Sequence, residues 1–217
     1  MKGLILITGY SHYGRYMWNP SEELVKMLDG EKLEGYILKG LTLPVSFKRT
    51  REILLNSLNT LDPAAVICLG LAPSAKKLVV ELVSVNTTYF EIPDTDKYRA
   101  RLEPVIERSM PVARTSLPVE RIARMCIEEK NLPIRPGVSI GTYLCNVAGY
   151  VAMSWASMKK RIGGFVHIPP HTDLAMRLGL ENYLPMYLIR ESLLCILRAV
   201  IAELDSKKPL LLEEAYD

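Results

Sequence analysis

The stretch Ala64-Ala65-Val66-Ile67-Cys68-Leu69 runs directly into Gly70-Leu71-Ala72-Pro73. An uncharged run with the adjacent β-branched residues Val66 and Ile67 reads as a strand buried on both faces, ended by the Gly and Pro that follow. Such a strand needs neighbours, and the flanking sequence supplies them. Upstream, residues 4–8 form another uniformly apolar strand, followed by an irregular Gly-, Tyr- and His-containing segment up to Asn19. Pro20 opens a helix, with Glu22 and Glu23 at the positive end of its dipole. A strand is expected over residues 35–43 and a helix over 46–58. Downstream, residues 78–85 are extended and the proline-rich, charged stretch 86–118 is expected to be loop. A helix (118–130), a strand (134–140), a helix (145–158), a strand (162–168) and a long helix (184–204) follow. This alternation predicts an α/β/α sandwich with a twisted, mainly parallel central sheet. No repeat, linker or composition shift divides the chain, so the reading is a single domain over residues 1–217.

Composition narrows the function classes. With 49% hydrophobic and 24% charged residues, the 217-residue chain is ordinary for a globular protein, which excludes disordered, collagen-like and coiled-coil classes. A net charge of +3 is too small to argue for nucleic acid or an anionic membrane. The apolar runs are too short to span a bilayer, and the N-terminus lacks the length and cleavage site of a signal peptide. A cytoplasmic protein is expected. Its four cysteines, Cys68, Cys126, Cys145 and Cys195, are widely spaced and form no CxxC pair, so reduced thiols are expected. Cys68, Cys126 and Cys195 read as small buried hydrophobes. Three histidines without close ligand pairs leave no expected metal site, and no cofactor is expected. The chain has no glutamine, which points to a heat-adapted source, although nine methionines and four cysteines pull the other way.

Open α/β sheets carry their sites in the loops beyond the carboxyl ends of strands. Gly9-Tyr10-Ser11-His12-Tyr13-Gly14, Gly70-Leu71-Ala72-Pro73, Gly141-Thr142-Tyr143-Leu144-Cys145-Asn146 and His167-Ile168-Pro169-Pro170 stand there. The first matches neither phosphate-loop spacing. Cys145 falls at a strand-to-helix turn, where the helix dipole favours a thiolate, although position alone leaves a buried structural thiol as the plainer reading. His167 ends an apolar strand and by itself reads equally as a core histidine. Glu81 sits inside Leu78-Val79-Val80-Glu81-Leu82-Val83, where a carboxylate taken from water needs a specific partner. Together the three make a nucleophile, a base and an orienting acid.

At these residues the chain resembles the pyrrolidone-carboxylate peptidases (pyroglutamyl peptidase type I). Ile7-Thr8-Gly9-Tyr10, Tyr13-Gly14 and Asn19-Pro20-Ser21 resemble that family's opening motif. Gly70-Leu71-Ala72-Pro73 with Glu81 through Asn86 resembles its glutamate signature, and Ile92-Pro93-Asp94 a short segment. Gly141 through Asn146 resembles its nucleophile motif, and Gly163-Gly164-Phe165-Val166-His167-Ile168-Pro169 its histidine motif. The resemblance implies a cysteine peptidase that removes N-terminal pyroglutamyl residues from peptides, assembled as a homotetramer. It implies Cys145 as nucleophile, His167 as base and then acid, and Glu81 as the group orienting His167. It also implies a substrate pocket lined by Tyr10, Tyr13, Asn19, Leu71, Ile92, Tyr143 and Leu144.

Three departures from the family pattern stand out. Tyr10 and Tyr13 replace phenylalanines of typical members, adding two hydroxyls to the pocket. Val79 and Leu82 replace a hydroxyl residue and a basic one around Glu81. Glu91 stands where the family carries an arginine, reversing a charge that would favour a thiolate or oxyanion; either Arg15, Arg99 or Arg101 substitutes, or the peptidase activity is weakened or redirected. These changes keep open a cysteine amidohydrolase acting on another cyclic or capped amide, or a non-catalytic binding protein of the same fold.

Overall fold

The computed structural model describes residues 1–206; the last residues, whose sequence reads either as an arm against a neighbouring subunit or as a frayed end, lie outside the described residues. In chain order the elements are β1 (Gly3–Tyr10), α1 (Pro20–Leu28), β2 (Lys32–Leu33), β3 (Tyr36–Leu43), α2 (Phe47–Leu61), β4 (Ala65–Leu71) and β5 (Leu78–Val85). They continue with β6 (Thr88–Tyr89), β7 (Arg101–Glu103), β8 (Val112–Arg114), α3 (Val119–Ile122), β9 (Ile134–Ser139), α4 (Leu144–Lys159), β10 (Ile162–Ile168), α5 (Thr172–Leu178) and α6 (Met186–Ser206). The central sheet has the order β2-β3-β1-β4-β10-β5-β8, with β9 also pairing β5. Strands β3, β1, β4 and β10 are mutually parallel, β5 lies antiparallel to β10, and β9 is parallel to β5. This is the mainly parallel α/β sheet that the sequence predicts.

Side-chain alternation along the central strands divides the core in two. Ile5, Ile7, Ala65, Ile67, Leu69, Val80, Val166 and Ile168 pack on one face against α1, α6 and the segment around Cys126. Leu6, Val66, Cys68 and Phe165 pack on the other against α2 and α4. Residues two apart share a face, so Val79 and Glu81 on β5 and Phe165 and His167 on β10 all turn toward α4. Helix α6 carries more apolar residues than one core-facing stripe needs, and they are enclosed within the chain: Leu193 to Leu197 and Ala199 to Ile201 are buried.

Some elements depart from the sequence reading. The stretch expected to be loop holds the β6–β7 ribbon and β8, whose brevity hides them from a periodicity search. Helix α5 was not expected; its N-cap is His171, whose Nδ1 accepts from Leu174 N–H (3.3 Å) while Nε2 contacts Glu23 (3.2 Å). The helix expected over 118–130 forms, but only its first turn is α. Residues Ala123–Glu128 wind as a π-helix, with Glu129 N–H reaching back five residues to Arg124 O at 3.0 Å.

The expectation of four reduced cysteines is overturned. Cys126, in the π-helix, is disulfide-bonded to Cys195 on α6, 69 positions away in sequence, with the Cα atoms 5.9 Å apart. Both are buried in the same core, as the small-hydrophobe reading requires, but that reading could not see that the two elements pack face to face. Cys68 and Cys145 are free.

Candidate active site

The site forms where α4 meets the carboxyl ends of β4 and β10. Cys145 is the second residue of α4, inside the first turn, where backbone N–H groups have no intrahelical partner. Its position is fixed from both sides. Tyr10 Oη, from the end of β1, hydrogen-bonds Leu144 O. On the other side, Asn146 Oδ1 accepts from Ser84 Oγ (2.6 Å) and Val85 N–H (3.0 Å), while its Nδ2 donates to Val85 O and Thr87 O. Asn146 therefore clamps the head of α4 to the end of β5. Sequence reading gave it no role beyond membership of the nucleophile motif.

His167 lies opposite Val79, and Phe165 opposite Glu81, in the antiparallel β5–β10 pair. This register sets the imidazole diagonal to the carboxylate, and His167 Nδ1 meets Glu81 Oε1 at 2.8 Å. The ring's Nε2 is thereby left for Cys145, the neighbouring thiol that acts on the imidazole together with Glu81. Burial works against the imidazolium, but the hydrogen bonds and charges of Cys145 and Glu81 outweigh it and raise the His167 pKa to about 9. Phe165 holds the ring edge-on at 4.9 Å. The other buried thiol nearby, Cys68, is pushed up to about 12 by desolvation, so it stays protonated at neutral pH.

Two glycines leave room for these groups. A Cβ on Gly70 would stand 2.7 Å from both Cys145 Sγ and Phe165 Cζ, and one on Gly137 of β9 would collide with Glu81 Oε2 and Val79 Cγ1. Glycine inside a strand marks such close approach, a signal the sequence carried but the motif reading did not use. Glu81 Oε2 is buried without a hydrogen-bond partner.

Cys145 opens onto a cavity of about 570 Å³. Tyr10, Tyr13, Asn19, Leu71, Ile92, Tyr143 and Leu144, the seven residues expected to line a pocket, all line it. Tyr16, Val45, Tyr89 and Phe90 join them without having been singled out. Tyr10 and Leu144 are buried, whereas Ile92 is 69% exposed at the rim. Asn19 lines the cavity as the N-cap of α1, its Oδ1 accepting from Ser21 N–H and Oγ.

The sequence profile of the pyroglutamyl peptidases matches residues 3–186 of the chain. The chain belongs to the pyroglutamyl peptidase family. It is 34% identical to the pyrrolidone-carboxylate peptidase of Halalkalibacterium halodurans over 81% of this chain and 88% of that protein. To the Pyrococcus furiosus pyrrolidone-carboxylate peptidase it is 30% identical over 76% of this chain and 80% of that one. The crystal structure of pyrrolidone carboxyl peptidase from Thermococcus litoralis superposes with a TM-score of 0.88 at 28% identity, covering 96% of this chain and 100% of that chain.

Within this pyroglutamyl peptidase fold, the departures acquire definite surroundings. The added hydroxyls do not make the pocket polar: Tyr10 Oη is bound to Leu144 O and Tyr13 Oη to Pro93 O. Tyr143 differs, since its hydroxyl is buried with no hydrogen-bond partner and its pKa is raised, first by burial and then by Tyr13, Asp94 and Cys145. Glu91 lies exposed at the rim, its carboxylate accepting from Tyr89 Oη at 2.9 Å. None of Arg15, Arg99 and Arg101, the cations considered as substitutes for the family arginine, lines the cavity. Arg15 stacks on Tyr16, and Arg99 Nε donates to the backbone oxygen of Glu91 at 2.8 Å.

Proposed function

We propose that the chain is a cysteine peptidase that removes the N-terminal pyroglutamyl residue from peptides through Cys145, His167 and Glu81. The observation that carries this reading is the Glu81–His167 contact at 2.8 Å behind a half-buried cysteine that opens onto an apolar cavity. His167 is protonated near neutral pH, and an imidazolium beside a thiol favours the thiolate as the attacking species. Cys145 Sγ attacks the pyroglutamyl carbonyl carbon, and the oxygen takes the negative charge facing the unpaired N–H groups of the first turn of α4. His167 Nε2 gives its proton to the leaving amine as the C–N bond breaks. The neutral ring then takes a proton from water, whose oxygen attacks the thioester and releases pyroglutamate, returning the thiolate and imidazolium. Glu81 holds the ring by accepting from Nδ1–H throughout.

The pocket supports the choice of substrate. Buried aromatic and aliphatic walls suit a flat, neutral lactam and offer no partner to a free α-ammonium group. Peptides beginning with pyroglutamate are therefore cleaved, and the same peptides beginning with glutamate or glutamine are not; discrimination through unpaired polar groups reaches about 10⁴-fold. A fluorogenic pyroglutamyl amide assay checks the activity, and comparable cleavage of glutamyl and pyroglutamyl peptides would sink the pocket reading. Absence of cleavage with no selective alkylation of Cys145 would favour the binding-protein alternative.

The homotetramer implied by the family resemblance belongs to the same proposal, and a monomeric mass by light scattering at micromolar concentration would refute it. So does a cytoplasmic setting. No helix among the described residues is long and apolar enough to cross a membrane. A buried disulfide fits a cytoplasm chiefly in heat-adapted organisms, which agrees with the lack of glutamine.

A further inference from the structure

The cavity beside Cys145 is lined by tyrosines and other aromatic, aliphatic and small polar residues, and among the described residues Glu91 is the only carboxylate on its wall, with no lysine, arginine or histidine there. The buried end, formed by Tyr10, Tyr143 and Leu144, suits the acyl group. The part of a peptide beyond the scissile bond must leave through the exposed rim, where Tyr89, Glu91 and Ile92 stand.

Glu91 is held at that rim by an unbroken chain of contacts to the nucleophile's own loop. Its carboxylate is fixed by Tyr89 Oη (2.9 Å). Tyr89 is in turn fastened to Thr142, three residues before Cys145, by Tyr89 N–H to Thr142 O (3.1 Å) and Thr142 Oγ1 to Tyr89 O (3.0 Å). On the other side, Arg99 holds the Glu91 backbone oxygen. Asp94 anchors the same segment through Phe47 N–H, Asp96 N–H and Tyr98 N–H at 2.8–2.9 Å. The carboxylate itself meets only a neutral hydroxyl; no cation among the described residues pairs with it. A fixed carboxylate with no ion-pair partner, at the rim of a cavity whose wall holds no other carboxylate and no basic side chain, is a means of choosing substrate. Arg99 on its backbone and Arg101 near Tyr89 reduce its field.

We propose that Glu91 is a specificity-determining residue that selects peptides carrying a cationic side chain, lysine or arginine, immediately after the N-terminal pyroglutamyl group. This rests on the peptidase reading above and adds to it a substrate class. The charge is exposed, so its effect is moderate and screened by salt. Acidic residues in the same position are disfavoured by the same field.

The test compares pyroglutamyl-Lys, pyroglutamyl-Gln and pyroglutamyl-Glu peptides with otherwise identical sequences. At low ionic strength the wild-type kcat/KM is expected to favour Lys over Glu by about tenfold, with Gln between, and the ratio to shrink at about 0.5 M salt. Glu91→Gln should bring the ratio close to one, and Glu91→Arg should invert the order, which loss of a structural contact would not do. Equal rates for the three peptides, or an order unchanged by Glu91→Arg, overturn the proposal. An uncharged pyroglutamyl anilide reports the peptidase reading separately. Should it and all three peptides resist cleavage, calorimetric affinities of Cys145→Ser for the same peptides decide: tighter binding of the Lys peptide supports the proposal, and equal binding refutes it.

Discussion

The two faces of the sheet treat cysteine in opposite ways. On one, Cys126 and Cys195 are sealed in a dry core between the π-helix and α6 and are joined covalently. On the other, Cys145 heads α4 beside a histidine and opens onto a cavity, while Cys68, a few residues before Gly70 on β4, is fully buried and held neutral. Residue type is the same in all four cases. What differs is access and the charge of the neighbours: apolar enclosure suppresses a thiol's ionisation, and an adjacent imidazolium supports a thiolate.

The contrast breaks most sharply through the nucleophile. Cys145→Ser is expected to lower pyroglutamyl turnover by about four powers of ten or more with an unchanged thermal transition, because the side chain's size and setting are kept. Retention of full activity would end the cysteine mechanism. Cys126→Ala with Cys195→Ala should do the reverse. Opening a covalent loop of 69 residues removes about 4 kcal/mol on the loop-entropy account, seen as a lowered denaturant midpoint, while activity under native conditions persists. A midpoint shift below about 1 kcal/mol would mean the bond does little to hold the two elements together.

A smaller effect sharpens the role of the second face. Above pH 9 His167 loses its proton, leaving no acid for the departing amine, so kcat/KM should fall on an alkaline limb near that pH. Glu81→Gln removes one of the two groups that raise the histidine's pKa, so the limb should move to lower pH and the maximum fall by about a hundredfold. An alkaline limb at the same pH in both proteins would detach Glu81 from the titration. The smallest change is expected from Tyr13→Phe. Losing the hydrogen bond to Pro93 O costs about 1 kcal/mol of stability and loosens the cavity wall, so KM should rise severalfold with kcat little altered.

Sequence legibility followed the same divide. Strands β1, β4 and β10 were readable because residues buried on both faces leave uniformly apolar runs, and β5 betrayed itself by the lone carboxylate of Glu81 inside one. The β6–β7 ribbon and β8 are too short to show a period, and α5 depends on a histidine cap that no propensity signals. Cys145, His167, Glu81 and the seven cavity-lining residues were named from their motifs; the structure brings them together. The disulfide escaped because pairing two cysteines 69 positions apart requires knowing that their helices meet. Asn146, Gly70 and Gly137 escaped because their importance lies in what they leave room for or hold, which becomes visible only once neighbouring strands are in register.

The wide turn at Ala123–Glu128 takes up one residue more than an α-turn and leaves the residues on either side facing as they would along an unbroken helix. Cys126 lies inside it, bound to Cys195 on α6. Deleting one residue between Ile122 and Cys126 should therefore let the segment close to an α-turn with better-shaped hydrogen bonds while Cys126 moves little. A chain one residue shorter here can keep its crosslink, so the surplus residue and the cysteine pair are features that descendants of this chain can lose independently.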